Sequence, residues 1–161
     1  MTRLTLVRHA KSSWDRPGLS DRDRPLSPRG ERDAPMMGRV LAGALPPPDA
    51  VLASPALRAR STAELIAGAW GLDPAAVRLV DGLYLAGLDD WWDAVSGAAP
   101  EAGHLLAVGH QPGVGAFASW LDPSARGDVP TCAVLSFEVS GRLARGSARL
   151  VFRDFPKAHR D

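Results

Sequence analysis

The chain has 161 residues, with 19 Lys plus Arg against 18 Asp plus Glu and a net charge of +1. One domain over residues 1–161 is expected, able to bury roughly two thirds of its unfolded surface, and the lone Cys132 allows no internal disulfide. The balanced charge offers no field for nucleic acid or a membrane surface, and no apolar run suits a signal core or a membrane span, so a cytoplasmic protein is expected.

Leu4 to Val7 is an apolar run that stops on Arg8 and His9, the pattern of a buried parallel strand with cations at its carboxyl end. In open α/β sheets ligands bind at that end. A guanidinium is a fixed fork of donors suited to phosphate, and an imidazole can be a nucleophile near neutral pH. Lys11 to Arg24 is polar, turns at Pro17-Gly18, and reads as a long loop over the same edge. Ser27-Pro28 supplies an N-cap and a proline at the first helical position, and Met36, Met37, Val40, Leu41 and Leu45 recur at helical spacing. Pro35 is expected to kink or divide this helix, and Pro46-Pro47-Pro48 to end it.

Asp49 to Ala53 reads as a second buried strand, and Ser54-Pro55 as a second capped start, for a helix reaching about Trp70 with Arg58 in its first turn. Val77 to Val80 is a weak third strand. Leu88, Trp91, Trp92 and Val95 follow the spacing of an amphipathic helix. His104 to Gly109 is a fourth strand, ending on His110, and Gln111-Pro112-Gly113 opens a helix toward Trp120. Two β-rich runs, Thr131 to Val139 and Ser147 to Phe155, form a terminal antiparallel pair. Alternating strands and helices indicate an α/β layered fold with a mostly parallel sheet. Cys132 reads as a small buried residue, His104 as a strand entry and His159 as an exposed tail residue.

Parallel strands would bring Arg8, His9, Arg58 and His110 to one edge of the sheet. A phosphoryl group in transfer spreads negative charge over three oxygens, and needs an in-line nucleophile and fixed donors around it. Two arginines, a second histidine and the NH groups at the helix start by Gln111 supply these without metal, and no Cys-rich spacing for zinc is present.

Four segments in series resemble the histidine phosphatase superfamily and its small SixA-type phosphohistidine phosphatase branch: Leu6-Val7-Arg8-His9-Ala10, Leu26-Ser27-Pro28-Arg29-Gly30, Ser54-Pro55-Ala56-Leu57-Arg58-Ala59 with Thr62, and Val108-Gly109-His110. The resemblance implies a phosphoglycerate mutase-like three-layer α/β/α sandwich with a mostly parallel mixed sheet, and no cofactor. It implies His9 as the phosphorylated nucleophile, Arg8 and Arg58 as the phosphate clamp, and His110 as a donor to the phosphate, with Gln111 beside it. Leu79-Val80-Asp81 with Tyr84 resembles the segment that carries the general acid in mutase-like relatives, which makes Asp81 the candidate acid. Lys11 stands where many relatives have an acidic residue. Asp15 stands where larger relatives often carry a phosphate-contacting Asn, and its carboxylate would repel phosphate.

An alkoxide leaving group needs a proton in the transition state, whereas an imidazole can carry its own. A compact chain with no cap segment and a weak acid therefore suits a phosphohistidine on a protein surface. The expected activity is dephosphorylation of protein phosphohistidine through a phosphoenzyme. The alternatives are a phosphomonoesterase acting on a small sugar phosphate or nucleotide, and a non-catalytic phosphate-binding module.

Overall fold

The computed structural model describes residues 1–98 and 102–160. Six strands form one sheet: β1 (Arg3–Arg8), β2 (Ala50–Ala53), β3 (Val77–Leu79), β4 (His104–Gly109), β5 (Val134–Val139) and β6 (Ala148–Asp154). Their order is β3-β2-β4-β1-β5-β6, with β1 to β4 mutually parallel and β5 antiparallel to both β1 and β6. The sheet is therefore mixed and mostly parallel, as the strand–helix alternation indicates.

Side chains alternate between the two faces along each strand, and this alternation splits the core in two. Leu4, Leu6, Leu105, Ala107, Leu135 and Phe137 pack with Trp91 and Val95 of α3 (Leu88–Ala98) and with Val114, Phe117 and Leu121 of α4 (Gly113–Leu121). On the other face Val7, Val51, Leu106 and Val108 meet Met37 and Leu41 of α1 (Pro28–Ala44) and Ala63 and Ile66 of α2 (Leu57–Gly68). Two helices on each face of one sheet make the three-layer α/β/α sandwich.

Several boundaries differ from the sequence expectation, each for a local reason. The first helix runs undivided through Pro35, because an amphipathic face buried on α2 and the sheet outweighs one missing backbone hydrogen bond. The second helix starts at Leu57 and not after Ser54, and its N-cap, Ala56, has no side-chain cap. The Ser54 Oγ accepts the Ala56 NH at 3.3 Å and is bonded more closely, at 2.8 Å, to the ring of His110. Strand β5 begins at Val134, since Cys132 adopts a positive φ of 61° and turns the chain first. Asp49 lies outside β2, and its Oδ2 accepts the His104 backbone NH at 2.7 Å.

The carboxyl ends of β1, β2 and β4 lie side by side, and the start of α1 is fitted against them. Ser27 caps α1 by accepting from the Gly30 NH, and its own NH and hydroxyl both donate to the Lys11 carbonyl. A Cβ at Gly30 would run into that same carbonyl oxygen, so the close approach requires glycine there. The Leu26 to Gly30 segment thereby fixes the backbone that follows His9.

Candidate active site

His9 follows the last residue of β1 and is 8% exposed; its backbone NH donates to the Gly109 carbonyl at 3.0 Å. Its ring Nδ1 lies 2.7 Å from the Ala10 carbonyl oxygen. A carbonyl only accepts, so Nδ1 carries the proton and Nε2 keeps its lone pair for the cavity. The Ala10 NH in turn donates to Thr62 Oγ1 at 2.9 Å, and that hydroxyl donates to the Arg58 carbonyl at 2.7 Å. One threonine on α2 thus ties the turn after His9 to the residue carrying the second guanidinium.

His110 follows β4, and its ring centroid lies 5.2 Å from that of His9. Its Nε2 is 2.8 Å from Ser54 Oγ, at the end of β2. With the Ser54 hydroxyl donating to Nε2, the His110 proton sits on Nδ1, which has no partner. Burial holds both imidazoles neutral: His9 is pushed down to about 3, with His110, Arg58 and Arg8 adding to the effect, and His110 to about 4, with Arg58 the next contributor. A neutral, buried imidazole with a free lone pair is a competent nucleophile.

The two guanidiniums are anchored differently. Arg8 donates from Nη1 to the Val129 carbonyl at 2.9 Å. Arg58, 3% exposed, donates to the Asp21 carbonyl at 2.7 Å and to Asp21 Oδ2 at 2.9 Å. Both Nε atoms lack a partner. Of four buried side-chain polar atoms without a partner among the described residues, three are Arg8 Nε, Arg58 Nε and His110 Nδ1. All three belong to residues lining one cavity of about 220 Å³ together with His9, Lys11, Ser12, Trp14, Arg24, Leu85, Gln111 and Thr131. Among the described residues, four cationic side chains and no carboxylate line it. A larger hollow of about 460 Å³ beside Leu26, Glu64 and Leu65 has no such convergence of donors.

Sequence reasoning brought together Arg8, His9, Arg58 and His110, and the structure does the same. Lys11 also lines the cavity, while Asp15 is exposed and outside its lining. Gln111 lines it too, but its Oε1 accepts the Gly115 NH at 2.7 Å, so only its amide NH2 remains for a ligand. Asp81 opens the turn Asp81–Leu83, is exposed, and is absent from the cavity lining. The carboxylate that reaches the clamp is Asp21, which also accepts from Tyr84 Oη at 2.6 Å and from Arg24 at 3.2 Å. The Tyr84 hydrogen bond, Arg58 and Arg24 hold its carboxyl far below the usual carboxylate range.

Two roles were missed from the sequence. Ser54-Pro55 reads as a helix cap, whereas the Ser54 side chain bonds the His110 ring, and Asp21 opens a single helical turn, Asp21–Asp23, in a stretch whose path no local pattern specifies. Cys132 is buried, its thiol is pushed up to about 12 by burial, and its backbone NH donates to the Arg8 and His9 carbonyls. His104 is buried and bonded to Thr5 Oγ1 and the Pro46 carbonyl, and His159 pairs with Asp154 at 2.6 Å. Among the described residues no group of three or more His, Cys, Asp or Glu is placed to hold a metal ion. Nor is any described helix long and apolar enough to cross a membrane.

Comparison with known proteins identifies the family and the fold. An uncharacterized protein of Mycobacterium leprae is 33% identical over 166 aligned positions, covering 94% of this chain and all of that one. An uncharacterized protein of Mycobacterium tuberculosis is 40% identical over 112, which is 70% of this chain and 67% of that one. Among solved structures, a protein assigned as the phosphohistidine phosphatase SixA from Agrobacterium tumefaciens superposes with a TM-score of 0.82 at 26% identity, covering 96% of this chain and 98% of that one. A SixA protein histidine phosphatase complexed with tungstate gives 0.81 at 23% identity over 98% and 99% of the two chains, a likeness of fold. The sequence profile of the histidine phosphatase superfamily (branch 1) matches residues 4–107, the stretch from β1 into β4 that carries Arg8, His9 and Arg58. On that match and this fold, the chain belongs to the histidine phosphatase superfamily.

Proposed function

We propose that this protein removes phosphate from protein phosphohistidine by way of a phosphorylated His9, in one domain and without a metal or cofactor. The observation that carries the reading is that Arg8, Arg58 and His110, whose Nε, Nε and Nδ1 atoms are buried without a partner, line one cavity together with His9, whose Nε2 keeps its lone pair. A buried donor left without a partner costs about 1–3 kcal/mol. A phosphoryl group bound among the three would relieve that cost, and bonds to its oxygens strengthen as charge spreads in the transition state. In the first step the substrate P–N bond breaks while phosphorus bonds to His9 Nε2. The leaving imidazole keeps the proton its own ring carried. The Ala10 carbonyl, already on Nδ1–H, then supports the positive charge of the phosphorylated ring. In the second step water bonds to phosphorus as the Nε2–P bond breaks; both water protons leave with the phosphate, and His9 returns neutral.

Among the described residues no carboxyl group lines the cavity, and this favours phosphohistidine over an ester. Asp21 is the one carboxylate touching the clamp among the described residues, and three donors keep it ionised. Asp81 lies outside the cavity lining. A leaving group that supplies its own proton fits such a site, whereas an alkoxide does not. The test is phosphate release, with chelator present, from a phosphohistidine peptide and an aryl phosphate side by side, with His9→Ala as blank. Faster release from the peptide, lost in the variant, is expected. Release only from the ester, and its loss in Asp81→Ala, would replace this reading with a small-molecule phosphomonoesterase using Asp81 as acid. Phosphate binding without release from either substrate would leave a non-catalytic binding module.

A further inference from the structure

The catalytic groups form the floor of the cavity, since His9, Arg58 and His110 are 8%, 3% and 3% exposed. Its rim has the opposite character. Trp14 and Leu85, 72% and 64% exposed, are the two most exposed of the large apolar side chains described, and both line this cavity. Single exposed apolar side chains are common, but here two of them flank one cavity above the catalytic groups. Trp14 is also held in place: the Arg24 guanidinium lies 3.6 Å from its ring centre. Arg24 is itself nearly buried and bonded to Ser12 Oγ at 2.7 Å and to Asp21 at 3.2 Å. One indole face is therefore backed by a fixed cation and the other is free. Leu85 adopts a φ of 50°, in the left-handed region that a leucine seldom occupies, and such strain tends to persist where it serves a site.

From these observations we infer that Trp14 and Leu85 grip the planar leaving group of the substrate, the imidazole ring of a phosphohistidine displayed on a partner protein. In-line attack from His9 at the floor points the departing atom away from the floor, toward the rim. A flat ring there stacks on the free indole face while Leu85 packs against it, and with no carboxylate among the described lining residues the ring keeps its own proton. The choice of imidazole rests on the phosphohistidine reading above. Trp14 is thus a specificity-determining residue.

The test compares two P–N substrates, a phosphohistidine peptide and phosphoramidate, whose leaving group is ammonia, with N-phosphoimidazole as the ring without a peptide. A Trp14→Ala loss shared by the peptide and N-phosphoimidazole places the contact on the ring, and a loss on the peptide alone overturns it. Trp14→Ala is expected to lower kcat/KM for the peptide by about five- to tenfold, mainly through KM, and to change phosphoramidate hydrolysis by less than twofold. Trp14→Phe, which keeps a flat face, is expected to restore most of the peptide activity. Equal losses on the peptide and phosphoramidate would show that Trp14 acts only by ordering its loop, and no loss on either would show that the ring does not meet it; each overturns the inference. A wild-type protein that leaves the peptide intact while cleaving an aryl ester would remove the phosphohistidine reading and this inference with it, a failure visible before any variant is made.

Discussion

Ser54→Ala removes the hydroxyl that holds the second histidine, together with the acceptor of the Ala56 NH at 3.3 Å. The Ser54 hydroxyl is fully buried and is the partner of His110 Nε2 at 2.8 Å. Deleting one oxygen leaves a void too small for water, so Nε2 loses its partner without replacement. The ring then no longer has a reason to keep its proton on Nδ1, the buried atom without a protein partner that is proposed to donate to phosphate. A buried polar atom left alone costs about 1–3 kcal/mol, and at about 1.4 kcal/mol per tenfold this is roughly a 5- to 150-fold slower phosphorylation of His9. Loss of an entire oxyanion donor, about 100- to 1000-fold, sets the ceiling. The assay is rapid-quench measurement of phosphoenzyme formation under single-turnover conditions, with thermal melting to establish that the variant is folded. Ser54→Thr retains the hydroxyl and should recover at least part of the rate. A folded Ser54→Ala protein phosphorylating within twofold of wild type would refute the role assigned to this hydrogen bond.

Other consequences can be checked on the same protein. Gly30→Ala drives a methyl into the Lys11 carbonyl and should destabilise the fold by about 1–3 kcal/mol in chemical denaturation, with activity falling further than stability because Ala10 must move; unchanged stability and rate would contradict that packing. His9 and His110 have folded pKa values below the unfolded one, so between pH 6.5 and about 4 the unfolded chain binds protons that the folded chain does not. Stability is then greatest above the unfolded value and falls on acidification, by about 2 kcal/mol for each ring at pH 5. Imidazole NMR titration should show neither ring protonating between pH 8 and 5, and a midpoint near 6.5 for His9 would count against its burial as described.

The parts of the site that sequence made legible are those set by short-range pattern. Continuous apolar runs mark buried parallel strands, so the residues that end or directly follow them, Arg8, His9 and His110, are placed at one edge by sequence alone. Arg58 followed because α2 starts immediately after β2. What stayed hidden depends on long-range return of the chain. Asp21 reaches Arg58 across 37 residues and Tyr84 across 63, through a loop without hydrophobic periodicity. The Val129 carbonyl that anchors Arg8 is 121 residues away. Ser54 shows a different limit: Ser-Pro is a sound helix-start pattern, yet here a buried imidazole claims the hydroxyl. Asp81 shows a third, since its local segment matched a catalytic pattern while its turn leaves it outside the cavity lining.

The most direct measurement is to mix the protein with a phosphohistidine peptide carrying labelled phosphate, quench in base to preserve phosphoramidate bonds, and locate the label by peptide mapping. Label on His9 Nε2, formed and lost at rates consistent with turnover and absent from His9→Ala, is the expected result. Turnover without a labelled intermediate, or label on any other residue, would contradict His9 as the nucleophile.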